Sequence, residues 1–305
     1  MAESCRGASG IETKNFEVYC ENLKTFCVQI PEEQVGLALD SQYIQFYSAG
    51  NAAQYYLWFN LTDGASVDPA PGGTGIQVDI LSTDIPESIS AAVAAAVDAE
   101  ADFCAVVVPN IKRAFAIKTV DYLATLDPVS SDLALLDPFV EHEGFSMNLG
   151  PTQSGGFSID TNVSTQEVVC DQTGSLPISE TQTGISPEIE IEFKQVNTSN
   201  LRKLLAQGAG DSVTINGQEH FGLGTASIGR NTLTRSNRLT LHPVGVPASD
   251  RSQDWVFLLT FPNVSNINFP SDENCAMTVS FRALRDDLAK FEEVNVLFIG
   301  DARQV

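Results

Sequence analysis

Positive charge is what this chain has least of. Its 305 residues carry 17 Lys and Arg against 39 Asp and Glu, a net charge of −22. Between Gln29 and Ile111 there is no Lys or Arg at all, while Asp40, Asp63, Asp68, Asp79, Asp84, Glu87, Asp98, Glu100 and Asp102 fall in that stretch. Binding nucleic acid by phosphate neutralisation needs clustered cations, so the composition argues against it. Two readings of the acidic surface stay open: solubility alone, or a surface that keeps DNA clear of the protein. The six cysteines (Cys5, Cys20, Cys27, Cys104, Cys170 and Cys275) have no CxxC spacing, and His142, His220 and His242 lie far from any paired cysteines. Zinc is therefore not expected. The polar start MAESCRGASG predicts no secretory leader, and with it reduced thiols, several of them buried. No apolar run approaches the ~18 residues of a membrane-spanning helix. Catalytic constellations are missing too. His142 stands between Glu141 and Glu143 with no serine elbow or second histidine nearby, and reads as a hydrated loop residue. Gly222-Leu223-Gly224 with Gly229 lacks both the third glycine and the Lys-Ser/Thr ending of a phosphate loop. No enzymatic activity and no cofactor are expected.

What is present is a globular composition, with 43% hydrophobic residues, in a chain long enough for two domains. Residues 1–36 read as an N-terminal arm with the first strands. Residues 37–126 read as a compact inserted α+β unit. It holds strands at Tyr43–Tyr47, Tyr55–Asn60, Ile76–Leu81, Phe103–Val108 and Ala114–Val120. Its helix begins at Thr83 or Asp84 as N-cap, with Pro86 in the first turn, and Ile85, Ile89, Val93, Ala96 and Val97 line one face. Leu126-Asp127-Pro128 and Leu136-Asp137-Pro138 read as a linker. Residues 127–305 are rich in short strands, with a helix over Leu201–Gln207 closed by Gly208 and a helical turn near Arg285–Phe291. The fold class is α+β, mainly β: a β-sandwich or barrel with one helix, plus the small insert.

Within the second domain several blocks follow in order. They are VVCDQTGSLPISETQTGISPEIEIEF, the helix NLRKLLAQG, the run TLTRSNRLTLHPVG, and the late strands around WVFLLTFPNV and MTVSFRAL. In this order they resemble the tail tube (major tail) proteins of long-tailed bacteriophages. The ending DDLAKFEEVNVLFIGD departs from the short polar tails of that family. The insert, through YYLWFN and DPAPGGTGI, resembles a small accessory domain of phage structural proteins.

The resemblance implies a structural subunit of the virion tail, made in the host cytoplasm and assembling with itself into stacked rings, usually hexameric. Such rings would meet other tail proteins at the tube ends and pass DNA through the lumen without specific binding, with no membrane partner. Another ring-forming tail component, such as a cap or neck protein, is the alternative; a virion-surface binding module is another. For that module Tyr55, Tyr56, Trp58 and Phe59 would form a sugar-stacking surface if they faced outward. Glu188, Glu190 and Glu192 alternate with Ile189, Ile191 and Phe193 and share one strand face. That face is either a lumen-facing acidic stripe or the solvated side of a half-buried sheet. Arg230, Arg235 and Arg238 are either inter-subunit contacts or plain surface charges.

Overall fold

The structure, a computed structural model, describes residues 16–32, 36–142, 144–169, 177–193, 204, 210–216, 218–223, 232–268, 276–291 and 295–302. The chain divides into two compact units. One comprises residues 1–19 and 148–284, the other residues 20–147 and 285–305.

Strand β1 (Phe16–Asn22) is the first described element, and the helix-bearing unit follows. Its strands are β2 (Thr25–Gln29), β3 (Tyr43–Tyr47), β4 (Gln54–Leu61), β5 (Thr74–Ile80), β6 (Phe103–Val107), β7 (Ala114–Thr119), β8 (Val129–Ser130) and β9 (Pro138–His142), with helix α1 (Pro86–Asp98) between β5 and β6. They form two four-stranded sheets, in the orders β6-β7-β2-β9 and β5-β4-β3-β8. Alternation selects the buried face of β5, where Ile76, Val78 and Ile80 are buried while Gln77 and Asp79 are exposed; β7 is buried throughout. One core cluster joins both sheets to the helix, through Phe26, Val28, Phe46, Phe59, Val93 and Phe115 among others.

This core explains why the unit is larger than the insert expected from sequence. Phe26, Val28 and Ile30 precede residue 37, and Leu136 follows residue 126, yet all four belong to the cluster. Strand β2 is paired on both sides, by β7 and β9. The two Leu-Asp-Pro segments are accordingly part of the packing. Leu136 is fully buried, and Asp127 accepts a 2.6 Å hydrogen bond from the buried Lys24 Nζ. His142 likewise lies at the end of strand β9 rather than in a loop, and burial holds its pKa below the usual histidine value.

Helix α1 begins one or two residues later than its sequence suggests. Ile85 is the N-cap, with extended backbone and no side-chain cap, and Pro86 takes the first helical position. Asp84 instead turns its carboxylate to the Leu81 amide at 2.8 Å. Ile89, Val93 and Val97 are buried as expected, but Ile85, outside the helix, is exposed.

The second unit contains β10 (Phe145–Asp160), β11 (Ser164–Val169), β12 (Pro177–Gly184), β13 (Glu188–Phe193), β14 (Gly210–Ile215), β15 (Gln218–Leu223), β16 (Asn237–Pro243), β17 (Trp255–Asn268) and β18 (Ala276–Leu284). The order β16-β1-β10-β13-β18-β17 closes on itself through β16–β17 pairing, giving a six-stranded antiparallel barrel. The protein is thus α+β and mainly β, with α1 the one α-helix described along its length. The helix expected over Leu201–Gln207 lies outside the described residues, apart from Leu204, which is buried. Within the run TLTRSNRLTLHPVG, Leu233–Arg235 forms a 3-10 turn before β16. Residues 285–291 carry a turn and no helix.

Candidate functional site

Strand β13 sits between β10 and β18, and its register sets the character of the barrel's outer face. Glu188 is opposite Asp160 on one side and Arg282 on the other; Glu190 lies between Ser158 and Ser280; Glu192 is opposite Thr278. Ile189, Ile191 and Phe193 point inward and are fully buried, while all three glutamates are exposed. Two carboxylates directly opposite each other, Asp160 and Glu188, repel, and Arg282 in the same row offsets part of that. Leu239, Leu241, Phe257, Val279 and Phe281 share the buried side. The barrel of a single copy is therefore a filled core, and its acidic stripe lies outside.

Two further strand pairs stand apart from the barrel sheet. β11 pairs with β12, and β14 with β15, each as a two-stranded antiparallel sheet. Ser164–Glu167 and residues 179–184 are exposed throughout. A lone two-stranded hairpin is marginal in water, and its outer edges offer unpaired backbone groups to a neighbour. Gly222 and Leu223 belong to β15, so the glycine-rich run enters a hairpin strand rather than a phosphate-binding turn.

The three arginines differ in what the structure describes of them. Arg230 lies outside the described residues, Arg235 is half-buried in the 3-10 turn, and Arg238 is buried on β16, which removes the surface-charge reading for that residue. Sequence reasoning missed the polar cluster on the same strand. The pairing of Leu241 with Trp255 brings His242 beside Asp254, at 2.6 Å from Nδ1 to Oδ1. His242 Nε2 lies 3.1 Å from the Val246 carbonyl, and Arg251 Nη1 donates to Asp254 Oδ2 at 3.3 Å. Arg251 also lies over the Tyr19 ring. Both His242 nitrogens face oxygen atoms, Asp254 Oδ1 on one side and the Val246 carbonyl on the other. Burial pushes the Asp254 carboxyl above its usual range, against the opposite pull of His242 and Arg251. With Nε2 facing a backbone carbonyl and Nδ1 facing Asp254, the cluster clamps the β16–β17 connection. The only signal in sequence was a histidine and an aspartate 12 residues apart, which is too common to use.

The aromatic strand is interior. Tyr56, Trp58 and Phe59 are buried, and Tyr55 packs edge-on against Phe103. The Tyr55 hydroxyl donates to Asp102 Oδ2 at 2.7 Å, and this bond, with burial, raises its pKa to about 12. The tyrosine ionises near 10 when unfolded, so its contribution to stability is whole below pH 10 and fades as pH rises toward 12. Tyr55→Phe is expected to remove one tyrosinate step near pH 12 from the 295 nm absorbance titration. A step lost near pH 10 instead would show that the Asp102 bond does not persist in solution.

A hollow of about 310 Å³ in the helix-bearing unit is lined by Ala94, Ala95, Ala105 and Val106, with the Asp98–Lys290 ion pair beside them. It gathers no set of convergent polar groups. Among the described residues no cluster of three or more His, Cys, Asp or Glu stands ready for a metal ion. Cys20 and Cys104 are buried, and burial raises the pKa of the Cys27 thiol to about 11. Cys5, Cys170 and Cys275 lie outside the described residues. No helix among the described residues is long and apolar enough to cross a membrane. Neither protein-family models nor curated protein sequences match this chain.

Proposed function

We propose that this protein is a structural subunit of a phage tail tube, located in the virion, assembling with itself into stacked rings around a DNA-conducting channel. The observation that carries the reading is a closed barrel accompanied by two separate two-stranded hairpins, of which β11–β12 is exposed along Ser164–Glu167 and residues 179–184. Closure leaves the barrel without free edges, so within that unit the hairpins are places where another copy can add backbone pairing. The ordered sequence blocks support the same reading, and hexameric rings are what the resemblance implies. A filled barrel has no bore of its own, so a channel would have to form between copies. The exposed stripe Glu188, Glu190 and Glu192 would then face the channel and repel phosphate. The surface-binding alternative loses its aromatic platform, because Tyr56, Trp58 and Phe59 are buried.

Negative-stain electron microscopy of the concentrated protein is the direct test: hollow tubes or stacked rings support the reading, and a monomer at every concentration and salt condition counts against it. A second experiment addresses the stripe. Reversing all three charges (Glu188→Lys, Glu190→Lys, Glu192→Lys) is expected to change stability by no more than about 1 kcal/mol, because the side chains are exposed. The variant tubes should retain double-stranded DNA at low salt and release it at high salt, whereas wild-type tubes retain none. Variant tubes that hold no DNA would place the stripe away from the channel.

A further inference from the structure

Three loops of the helix-bearing unit are stitched into one surface. The first is the 3-10 turn Gly36–Leu39 with Asp40 and Ser41, the second is residues 62–68, and the third is residues 81–85. The Gly36 amide donates to the Asp84 carbonyl at 3.3 Å, and the Val67 amide to Ser41 Oγ at 3.2 Å. The Ser66 hydroxyl donates to Asp40, and the Ser82 amide donates to Asp63 Oδ1 at 3.0 Å. The first and third loops are pressed so close that a Cβ on Gly36 would stand 2.0 Å from the Leu81 carbonyl oxygen. On this joined surface the aliphatic side chains of Leu37, Val67, Leu81 and Ile85 are exposed by 64%, 72%, 44% and 56%. Scattered apolar side chains are ordinary on a surface, but four on adjoining loops are of the kind that marks an interaction site. The same loops contribute Asp40, Asp63, Asp68 and Asp84, within a stretch that has no Lys or Arg from Gln29 to Ile111. Hydrogen bonds from Ser82 hold the Asp63 carboxyl below its ordinary pKa, so it carries charge at neutral pH.

We propose that these loops form a docking surface for a cationic amphipathic polypeptide segment. Its aliphatic side chains would cover Leu37, Val67, Leu81 and Ile85 while its Lys or Arg side chains meet Asp40, Asp63, Asp68 and Asp84. Charge selects this occupant over the others. The same face of a second copy would set carboxylates against carboxylates, because the stretch from Gln29 to Ile111 has no Lys or Arg. Nucleic acid and anionic lipid surfaces are repelled for the same reason. The inference does not rest on the tail tube reading and stands or falls separately from it.

The test uses the full-length chain and a fluorescein-labelled amphipathic peptide of Leu and Lys, with a Leu/Glu peptide of the same pattern as control. Fluorescence anisotropy should show binding of the Leu/Lys peptide that weakens with salt, and no binding of the Leu/Glu peptide. The double variant Leu37→Ser, Ile85→Ser should weaken binding by ~10-fold or more, about 1.4 kcal/mol, without lowering the thermal melt, since serine caps α1 better than Ile85 does. Binding equal in wild type and variant would overturn the proposal, because general acidity would then suffice. So would equal binding of the Leu/Glu peptide, or preference for phosphatidylcholine vesicles over the peptide. Self-association in sedimentation velocity that disappears in the double variant would assign the surface to a second copy and overturn it equally.

Discussion

Replacing Asp254 by alanine is expected to destabilise the barrel unit by about 3–5 kcal/mol, the scale for removing one partner of a buried ion pair. Asp254 is 1% exposed and holds His242 at 2.6 Å and Arg251 at 3.3 Å. Without its carboxylate, a buried imidazole and a half-buried guanidinium lose their shared acceptor, and the β16–β17 connection loses the clamp that ends at the Val246 carbonyl. The measurement is urea unfolding followed by tryptophan fluorescence. The chain has two tryptophans, Trp58 in the helix-bearing unit and Trp255 at the start of β17, so a Trp58→Phe background reports on the barrel. Arg251→Met should cost less than Asp254→Ala, because Arg251 is partly solvated and His242 remains paired. A loss below about 1 kcal/mol for Asp254→Ala would mean that the pair is solvated in solution, where such contacts contribute little.

Excising the β11–β12 hairpin is expected to abolish assembly while leaving the barrel folded. Asp160 and Glu188 are cross-strand partners in β10 and β13, and Asn162 Nδ2 donates to the Ser186 carbonyl at 3.2 Å. The ends of the excised segment thus already lie side by side, and a Gly-Gly turn from residue 162 to residue 186 can close them. Among the described side chains of residues 163–185, none belongs to the buried core. The unfolding midpoint of Trp255 should therefore move by no more than about 1 kcal/mol in free-energy terms. Sedimentation velocity and electron microscopy should show only monomer under conditions where the parent forms rings or tubes. Rings formed by the excised chain would remove the observation on which the tube reading rests, and β14–β15 would be the next hairpin to excise.

Much of the local structure was legible. EIEIEF in β13 and the alternation of Ile76, Val78 and Ile80 in β5 reveal their buried faces, because successive strand residues point to opposite sides. Ile89, Val93 and Val97 reveal the packed face of α1 by helical spacing, and Pro86 its start to within a residue or two. Ile85 misled because spacing alone does not say where the helix backbone begins. The acidic stripe was legible as a stripe, but the side of the sheet it occupies was not. The aromatic run YYLWFN read either as core or as a binding surface until packing against Phe46 and Phe103 decided for core.

Sequence by itself determined the acidity, the missing cation cluster, the mainly β class with one small helical insert, and the face of each amphipathic strand. These follow from composition and from backbone periods of two and 3.6 residues, which act over a few neighbours. Tertiary structure alone decided the rest. It placed β1 between β16 and β10, closing a barrel from strands more than 200 residues apart in the chain. It drew Phe26 and Leu136 into one core from either side of the insert, and it set His242 against Asp254. Such pairings depend on which edges and apolar faces remain unsatisfied once local structure has formed, and no local pattern encodes that choice.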